Sequence, residues 1–422
     1  MRRYESYKDS GVEWLGEVPS HWEVENSKRV FSYRKDKAEK TDEQLTSSQK
    51  YGVIPQNLFM DLEGRRVTVV EFNYEILKHV EKGDFVISMR SFQGGIEYCN
   101  YTGCVSSAYV ALIPTSKVHS QYYRFLLKSG RYIEALQSTS NLVRDGQALR
   151  YENFCMVPLI VPPLSEQQKI AQFLDDKTAK IDQAVDLAEK QIALLKEHKQ
   201  ILIQNTVTRG LNPDVPLKDS SVEWIGQVPE HWEKYPLFVQ AKISSITNHI
   251  DKELLSVYLD RGVIRFSDVD EKRTNVTSLD LSKYQLVRKG NFVLNNQQAW
   301  RGSVGISNYE GIVSPAYLIL ELSNKFESNY ANYLFRNGTM VAHYFVASKG
   351  VGSIQRNLYW GNLRRTPIFI PPLSEQQRIA DYLNTQTAKI DQAIALKTAH
   401  IEKLKEYKSV LINDVVTGKV RV

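Results

Sequence analysis

The sequence has 422 residues, of which 42% are apolar and 24% charged, with a formal net charge of +6. That is the composition of a soluble globular protein long enough for two or more domains, each able to bury its own core. There is no apolar run of about eighteen residues, no apolar leader core in MRRYESYKDSG, and only three cysteines (Cys99, Cys104, Cys155), so a membrane span, secretion and a disulfide framework are not expected, and a reducing cytoplasm is.

In chain order, Asp9 opens DSGVEWLGEVPSHWEV, whose Trp14 and Trp22 suit core or helix-docking positions. Residues 25–160 mix short strands (Phe85–Met89, Val105–Ile113) with a helical stretch, His119–Lys128. A last strand around Met156–Val161 leads into PPLSEQQKIAQFL from Pro162. Ser165, with Gln168 three residues on, has the form of a capping box. Neither Pro nor Gly then appears until Gly210, and Leu174, Ile181, Ala188, Leu195 and Leu202 recur every seven residues, with Val185 and Ile192 as a second line. This is the a/d seam of a coiled coil.

The second half repeats the first at an offset of about 210 residues, and a large internal repeat organises the whole fold. DSSVEWIGQVPEHWEK from Asp219 carries Trp224 and Trp232. KGNFV from Lys289 answers KGDFV from Lys82, and SPAYLIL from Ser314 answers SSAYVAL from Ser106. Strands are predicted at Phe292–Asn295, Ile312–Leu320 and Pro367–Ile370, and a helix at Tyr330–Asn337. PPLSEQQRIADYL then begins at Pro371, with Ser374 and Gln377 in the capping positions. Leu383, Ile390, Leu404 and Leu411 continue the seam, which Lys397 interrupts. The middles, 25–80 and 240–285, barely match, as expected of one frame carrying two different inserts.

Each tail predicts a helix of about 44 residues, roughly 65 Å long. A single apolar stripe needs a partner, and the obvious one is the other copy. An antiparallel rod with one globular α/β domain near each end is therefore expected. The termini correspond to the mid-chain linker and should lie close together.

The survey for chemistry is negative. There is no phosphate loop of the form G-x-x-x-x-G-K-[ST], no N-P-P-aromatic stretch, no metal-spaced His/Glu cluster and no nucleophile–base pair. Glu197/Lys199 and Glu406/Lys408 fall on the predicted rod as solvated charge. The chain reads as a non-enzyme. Two segments lack acidic residues: Cys104–Ile133, with Lys117, Arg124, Lys128 and Arg131, and Ser328–Ser374, with Arg336, Lys349, Arg356, Arg364 and Arg365. Such segments suit a polyanion. For DNA, the candidate reading groups are Arg, Lys, Asn and Gln in loops. In the first half they are Gln49, Lys50 and Gln56, then Arg90 and Gln93, then Arg144, Gln147 and Arg150. In the second they are Arg261 and Arg265, then Asn295, Asn296, Gln297, Gln298 and Arg301, then Lys349, Gln355 and Arg356.

The doubled frame of VEW-x-G, K-G-[DN]-F-V, S-x-A-Y and PPLSEQQ-x-IA is similar to the specificity subunit of Type I restriction-modification systems over essentially the whole chain. The resemblance implies an α/β (α+β) fold with two pseudo-two-fold related target-recognition domains, residues 1–160 and 213–369. Two helical spacers, 161–212 and 370–422, would join them as antiparallel coiled-coil helices. Each domain would read about 3–5 base pairs of a split, asymmetric site in double-stranded DNA. The spacers would set the gap and dock two methyltransferase subunits, through Ser165, Gln168, Leu174, Ile181, Leu195, Ser374, Gln377, Leu383, Ile390 and Leu404. S-adenosylmethionine, ATP and Mg would belong to the methyltransferase and restriction/motor partners, leaving no cofactor or metal in this chain. A related system with a fused nuclease–methyltransferase partner, and a coiled-coil scaffold without a DNA role, are the alternatives.

Overall fold

The computed structural model describes residues 2–67, 74–89, 91–139, 149–268, 280–350 and 356–422; Arg90, Arg144, Gln147 and Gln355 lie outside the described residues. The chain divides into two compact units, one of residues 1–189 with 399–422 and the other of residues 190–398. No helix among the described residues is long and apolar enough to cross a membrane.

In the first unit the central sheet has four antiparallel strands in the order Phe31–Tyr33, Val110–Pro114, Phe85–Ile87, Glu97–Tyr98. Alternate side chains of a strand face opposite ways, and here both faces are covered. Phe85 and Ile87 join Phe31, Tyr123 and Phe154 in the helix-side core. Val86 packs on the other side with Leu45 and Val53 of a β-hairpin, Leu45–Ser48 and Gly52–Pro55. The edge-to-face rings Phe31–Phe85, Phe31–Tyr123 and Phe31–Phe154 each add about 0.5–1.5 kcal/mol beyond burial.

The second unit repeats this order with Ala241–Ser244, Tyr317–Leu322, Phe292–Asn295 and Val304–Ile306. Phe292 and Leu294 face the helices, and Val293 faces Leu255, Val257 and Val263 of the matching hairpin, Leu255–Tyr258 and Gly262–Arg265. The dissimilar middles thus share one topology, because the buried pattern is kept while the residues change.

Three expected elements differ. Val105–Ile113 and Ile312–Leu320 are each two strands, Gly103–Val105 with Val110–Pro114 and Gly311–Val313 with Tyr317–Leu322. The break is a serine turn: Ser106 Oγ accepts from Ala108 N, and Ser314 Oγ from Ala316 N. Met156 ends a short helix, Tyr151–Met156, and only Leu159–Val161 is strand.

The long helices run Leu164–Arg209 (46 residues) and Leu373–Val416 (44 residues). Their starts correct the expected capping box. Ser165, Gln168, Ser374 and Gln377 are exposed, and Gln377 Nε2 bonds Asp381 one turn on. The first turn is closed by proline carbonyls: Pro163 O accepts from Glu166 N and Gln167 N, and Pro372 O from Glu375 N and Gln376 N. A proline there supplies an acceptor where its missing N–H costs nothing.

The anchored amide is the preceding glutamine. Gln167 Nε2 donates to Pro162 O and Lys117 O, and its Oε1 accepts from His119 N. Gln376 makes the same three bonds to Pro371 O, Lys325 O and Glu327 N.

The two helices pack antiparallel. In the second unit Gln191 meets Lys397 and Lys199 meets Asp391, so one helix ascends as the other descends. In the first unit Asp182 pairs with Lys408 at 2.6 Å, and Leu174, Ile181, Leu411 and Val415 share the core. Lys397, which breaks the apolar seam, donates to Gln191 Oε1 at 2.6 Å. Near the ends, Arg421 N donates to Arg2 O at 2.9 Å.

Candidate nucleic-acid interface

Each hairpin tip turns on a glycine in the left-handed region, Gly52 (φ +74°) and Gly262 (φ +71°). A Cβ at Gly52 would lie 2.7 Å from Tyr98 O, so only glycine fits there. The first tip carries Gln49 and Lys50, both exposed. Lys50 pairs with Glu63 at 3.3 Å and lies over the Tyr51 ring. The tip meets the turn after Phe85–Ile87: a Cβ at Gly94 would sit 2.6 Å from the Gln49 side chain. Gln93 is exposed beside it, on the short helix Ser91–Gly94.

In the second unit the same turn is NNQQAWRG. Asn295 braces the turn itself, its Oδ1 accepting from Gln297 N, while Asn296, Gln297 and Gln298 make no side-chain hydrogen bond among the described residues. Trp300 Nε1 donates to Gln297 O. Arg301 lies over the Trp300 ring at 4.7 Å, Trp300 packs against Phe345, and Arg356 lies over Phe345 at 4.1 Å. Leu358 N donates to Asn296 O, which ties the Lys349–Asn357 strand pair to the turn. The hairpin tip closes the group: a Cβ at Gly302 would lie 3.6 Å from Leu259. Arg261 stands at that tip over the Tyr258 ring.

The structure therefore brings together Gln49, Lys50 and Gln93 in one unit, and Arg261, Asn295–Gln298, Arg301, Lys349 and Arg356 in the other. Gln56 and Arg265 do not join them. Gln56 opens the helix Gln56–Glu63 just after the first hairpin's second strand, and Arg265 ends the second hairpin's; each is three or more residues from its tip and so about 10 Å away. Gln56 N bonds Gln44 O and its Oε1 is buried. Arg265 pairs with Glu253 at 3.4 Å. Arg150 is exposed at the N-cap of the helix Tyr151–Met156, on a different element from the tip. Sequence reasoning missed Trp300 and Phe345, the rings that order the two arginines. Trp300 beside Arg301 in AWR was an available signal; Phe345, eleven residues before Arg356, left none.

Leu174, Ile181, Leu383 and Ile390 are buried, and Leu195 and Leu404 half-buried, within the helix pair; they hold the helices together and offer nothing outward. The outward apolar line is Leu187, Leu194 and Ile201, 58%, 63% and 50% exposed, one residue before each seam position. Leu396 and Val410 repeat it on the second helix.

A carboxylate joins each tryptophan unit to a helix start. Glu166 accepts from Trp22 Nε1 (3.0 Å), Tyr4 Oη and His21; Glu375 accepts from Trp232 Nε1 (3.2 Å) and His231. Burial pushes the Glu166 carboxyl up, but the three hydrogen bonds outweigh it and hold it below the usual range. Trp22 and Trp232 are buried, as core and docking aromatics should be.

The family model described as Type I restriction modification DNA specificity domain matches residues 19–196 and again 238–406. The chain is 26% identical over 426 residues to the Type I restriction enzyme MjaVIII specificity subunit of Methanocaldococcus jannaschii, spanning 96% of this chain and 94% of that one. Its fold is similar to that of the HsdS subunit from Thermoanaerobacter tengcongensis (TM-score 0.56, 14% identity, 96% and 98% of the two chains). It is also similar to a chain of a type I R-M system solved for its complex assembly and conformational transition (TM-score 0.65, 12% identity, 96% and 99%). With two matched stretches over most of its length, the chain belongs to the Type I restriction-modification specificity subunits and carries the DNA specificity domain twice.

Proposed function

We propose that residues 1–160 and 213–369 are target-recognition domains that each read one half of a split, asymmetric site in double-stranded DNA, and that 161–212 and 370–422 set the gap. The observation that carries this reading is the repeated pairing of a hairpin tip with the turn after the central strand, built from different side chains in the two units. Gln49, Lys50 and Gln93 serve one half-site; Asn296, Gln297, Gln298, Arg301 and Arg356 serve the other, with Arg261 and Lys349 at its edge. Arginine suits guanine and the amides suit adenine in the major groove. The Leu187, Leu194 and Ile201 line and its repeat at Leu396 and Val410 dock two methyltransferase subunits, and restriction/motor subunits join that complex. S-adenosylmethionine, ATP and Mg act on those partners, and this chain is the non-catalytic member.

The test is a methylation map. The chain is co-expressed with the methyltransferase subunit of its neighbouring gene, and host DNA is sequenced for modified adenine. One split, asymmetric motif is expected, and exchanging residues 213–369 for those of a relative should change one half only. A motif that changes in both halves, or none from a soluble complex, overturns the reading.

A further inference from the structure

The two hairpin tips are held by one device built from different residues. Lys128 and Arg336 occupy the same place in the repeat, each two residues before the glycine that opens the next helix, Gly130–Ser138 in one unit and Gly338–Ala347 in the other. Lys128 Nζ donates to Gln49 O at 2.5 Å. Arg336 Nη2 donates to Leu259 O and Asp260 O at 3.1 and 2.7 Å. Gln49 and Leu259 are matching tip positions, three residues before Gly52 and Gly262. Both cations are half-buried: Lys128 is paired with the buried Glu97 at 2.8 Å, and the Arg336 Nε is buried without a partner among the described residues.

We infer that Lys128 and Arg336 are positioning residues that lock each hairpin tip against its recognition turn, and so set base selectivity without touching DNA.

The difference between the copies supports this role. A half-buried ammonium needs a counter-charge, and Glu97 supplies it from the edge strand. The matching residue in the second unit, paired with Val293 as Glu97 is with Val86, is Gly305, which is buried and has no side chain to offer. There the planar guanidinium spans two carbonyls in place of a carboxylate. Two chemical solutions thus end on the same backbone oxygens. The tips also lie on the turns they would control, Gln49 against Gly94 and Leu259 against Gly302. Asn100 Nδ2 adds a second tie in the first unit, to Tyr51 O at 3.1 Å. Burial lowers the affinity of Arg336 for its proton, yet an arginine stays charged at any working pH, so this clamp does not release on titration.

The inference rests on the split-site reading only for its DNA outcome, and the experiment has two arms. In the first, the methyltransferase complex carrying Lys128→Met, Arg336→Met or Lys128→Arg is tested on DNA altered in one half-site at a time. Lys128→Met should reduce discrimination at the first half-site about tenfold and leave the second unchanged. Arg336→Met should do the reverse, and Lys128→Arg should keep most of the selectivity. An equal loss at both half-sites, or none, overturns the proposal. The second arm is hydrogen–deuterium exchange on the full chain without DNA. Lys128→Met should speed exchange in residues 45–55 and leave 255–265 as in wild type; unchanged exchange in 45–55 overturns the clamp. If the wild-type complex has no split site, the functional reading falls, and this second arm still decides the clamp.

Discussion

Trp22 Nε1 donates to Glu166 Oε2 at 3.0 Å, and Trp232 makes the same bond to Glu375 in the other copy. Each bond ties the VEW…HW stretch to the first turn of a long helix. A hydrogen bond to a charged group contributes about 1.5–3 kcal/mol, so Glu166→Ala should destabilise the first unit by that amount in urea unfolding. The pH dependence has a definite sign. Because the folded Glu166 carboxyl lies below its unfolded value of about 4.3, its contribution is complete above that pH and is lost as pH falls through the lower folded value. Glu166→Gln should flatten the acid limb of the stability curve and leave the neutral limb parallel to wild type.

The NNQQAWR turn makes a separable prediction. Gln297→Ala removes an exposed amide that has no partner among the described residues, and Arg301→Ala removes a cation held over Trp300. Where the side chain reads a base, its removal should cost about 1–3 kcal/mol of discrimination at a single position of the second half-site. Where Arg301 holds a phosphate, its removal should weaken binding to all sequences alike and reduce the salt slope by about one. Binding titrations at several salt concentrations distinguish the two, and no change from either substitution would remove this turn from the interface.

Lys397 and Gln191 form a polar pair in an otherwise apolar seam. Such pairs cost stability and fix register. The double substitution Lys397→Leu with Gln191→Leu should raise the melting temperature, by about 1 kcal/mol of added stability. A lower melting temperature would show that the pair is a net stabiliser.

Leu194 points outward between two other exposed apolar residues of one line. Leu194→Asp should leave the melting curve of the isolated chain unchanged, since the residue is 63% exposed, and should abolish co-purification with the methyltransferase subunit. Retained co-purification would place the docking surface elsewhere.

The large features were legible in the sequence because they repeat. A seven-residue apolar period over 44 or more residues has few structural meanings, and both long helices appear where it predicts them. The common sheet order was not legible, since 25–80 and 240–285 share burial and not residue identity. Within QQ, type alone could not tell the exposed Gln168 from the anchored Gln167; only burial separates them. The predicted strands through S-x-A-Y are too long because a serine turn leaves the apolar residues on both sides in place. Lys128 and Arg336 were visible only as members of acid-free segments. Their acceptors are backbone oxygens, which leave no trace in a sequence.

The joint made by Gln167 and Gln376 has a consequence for inheritance. Each glutamine holds its globular segment through main-chain atoms alone, two carbonyls and one N–H. Such a socket is indifferent to the side chains of what it receives. PPLSEQQ, which carries the glutamine, and TAKIDQA ten residues on are spelled identically in both copies, and so are candidates for crossover in the gene. An exchange between them would deliver an entire recognition segment, in frame, into a seat that already fits it. A lineage could then acquire a new DNA target in one event, without first passing through a misfolded intermediate.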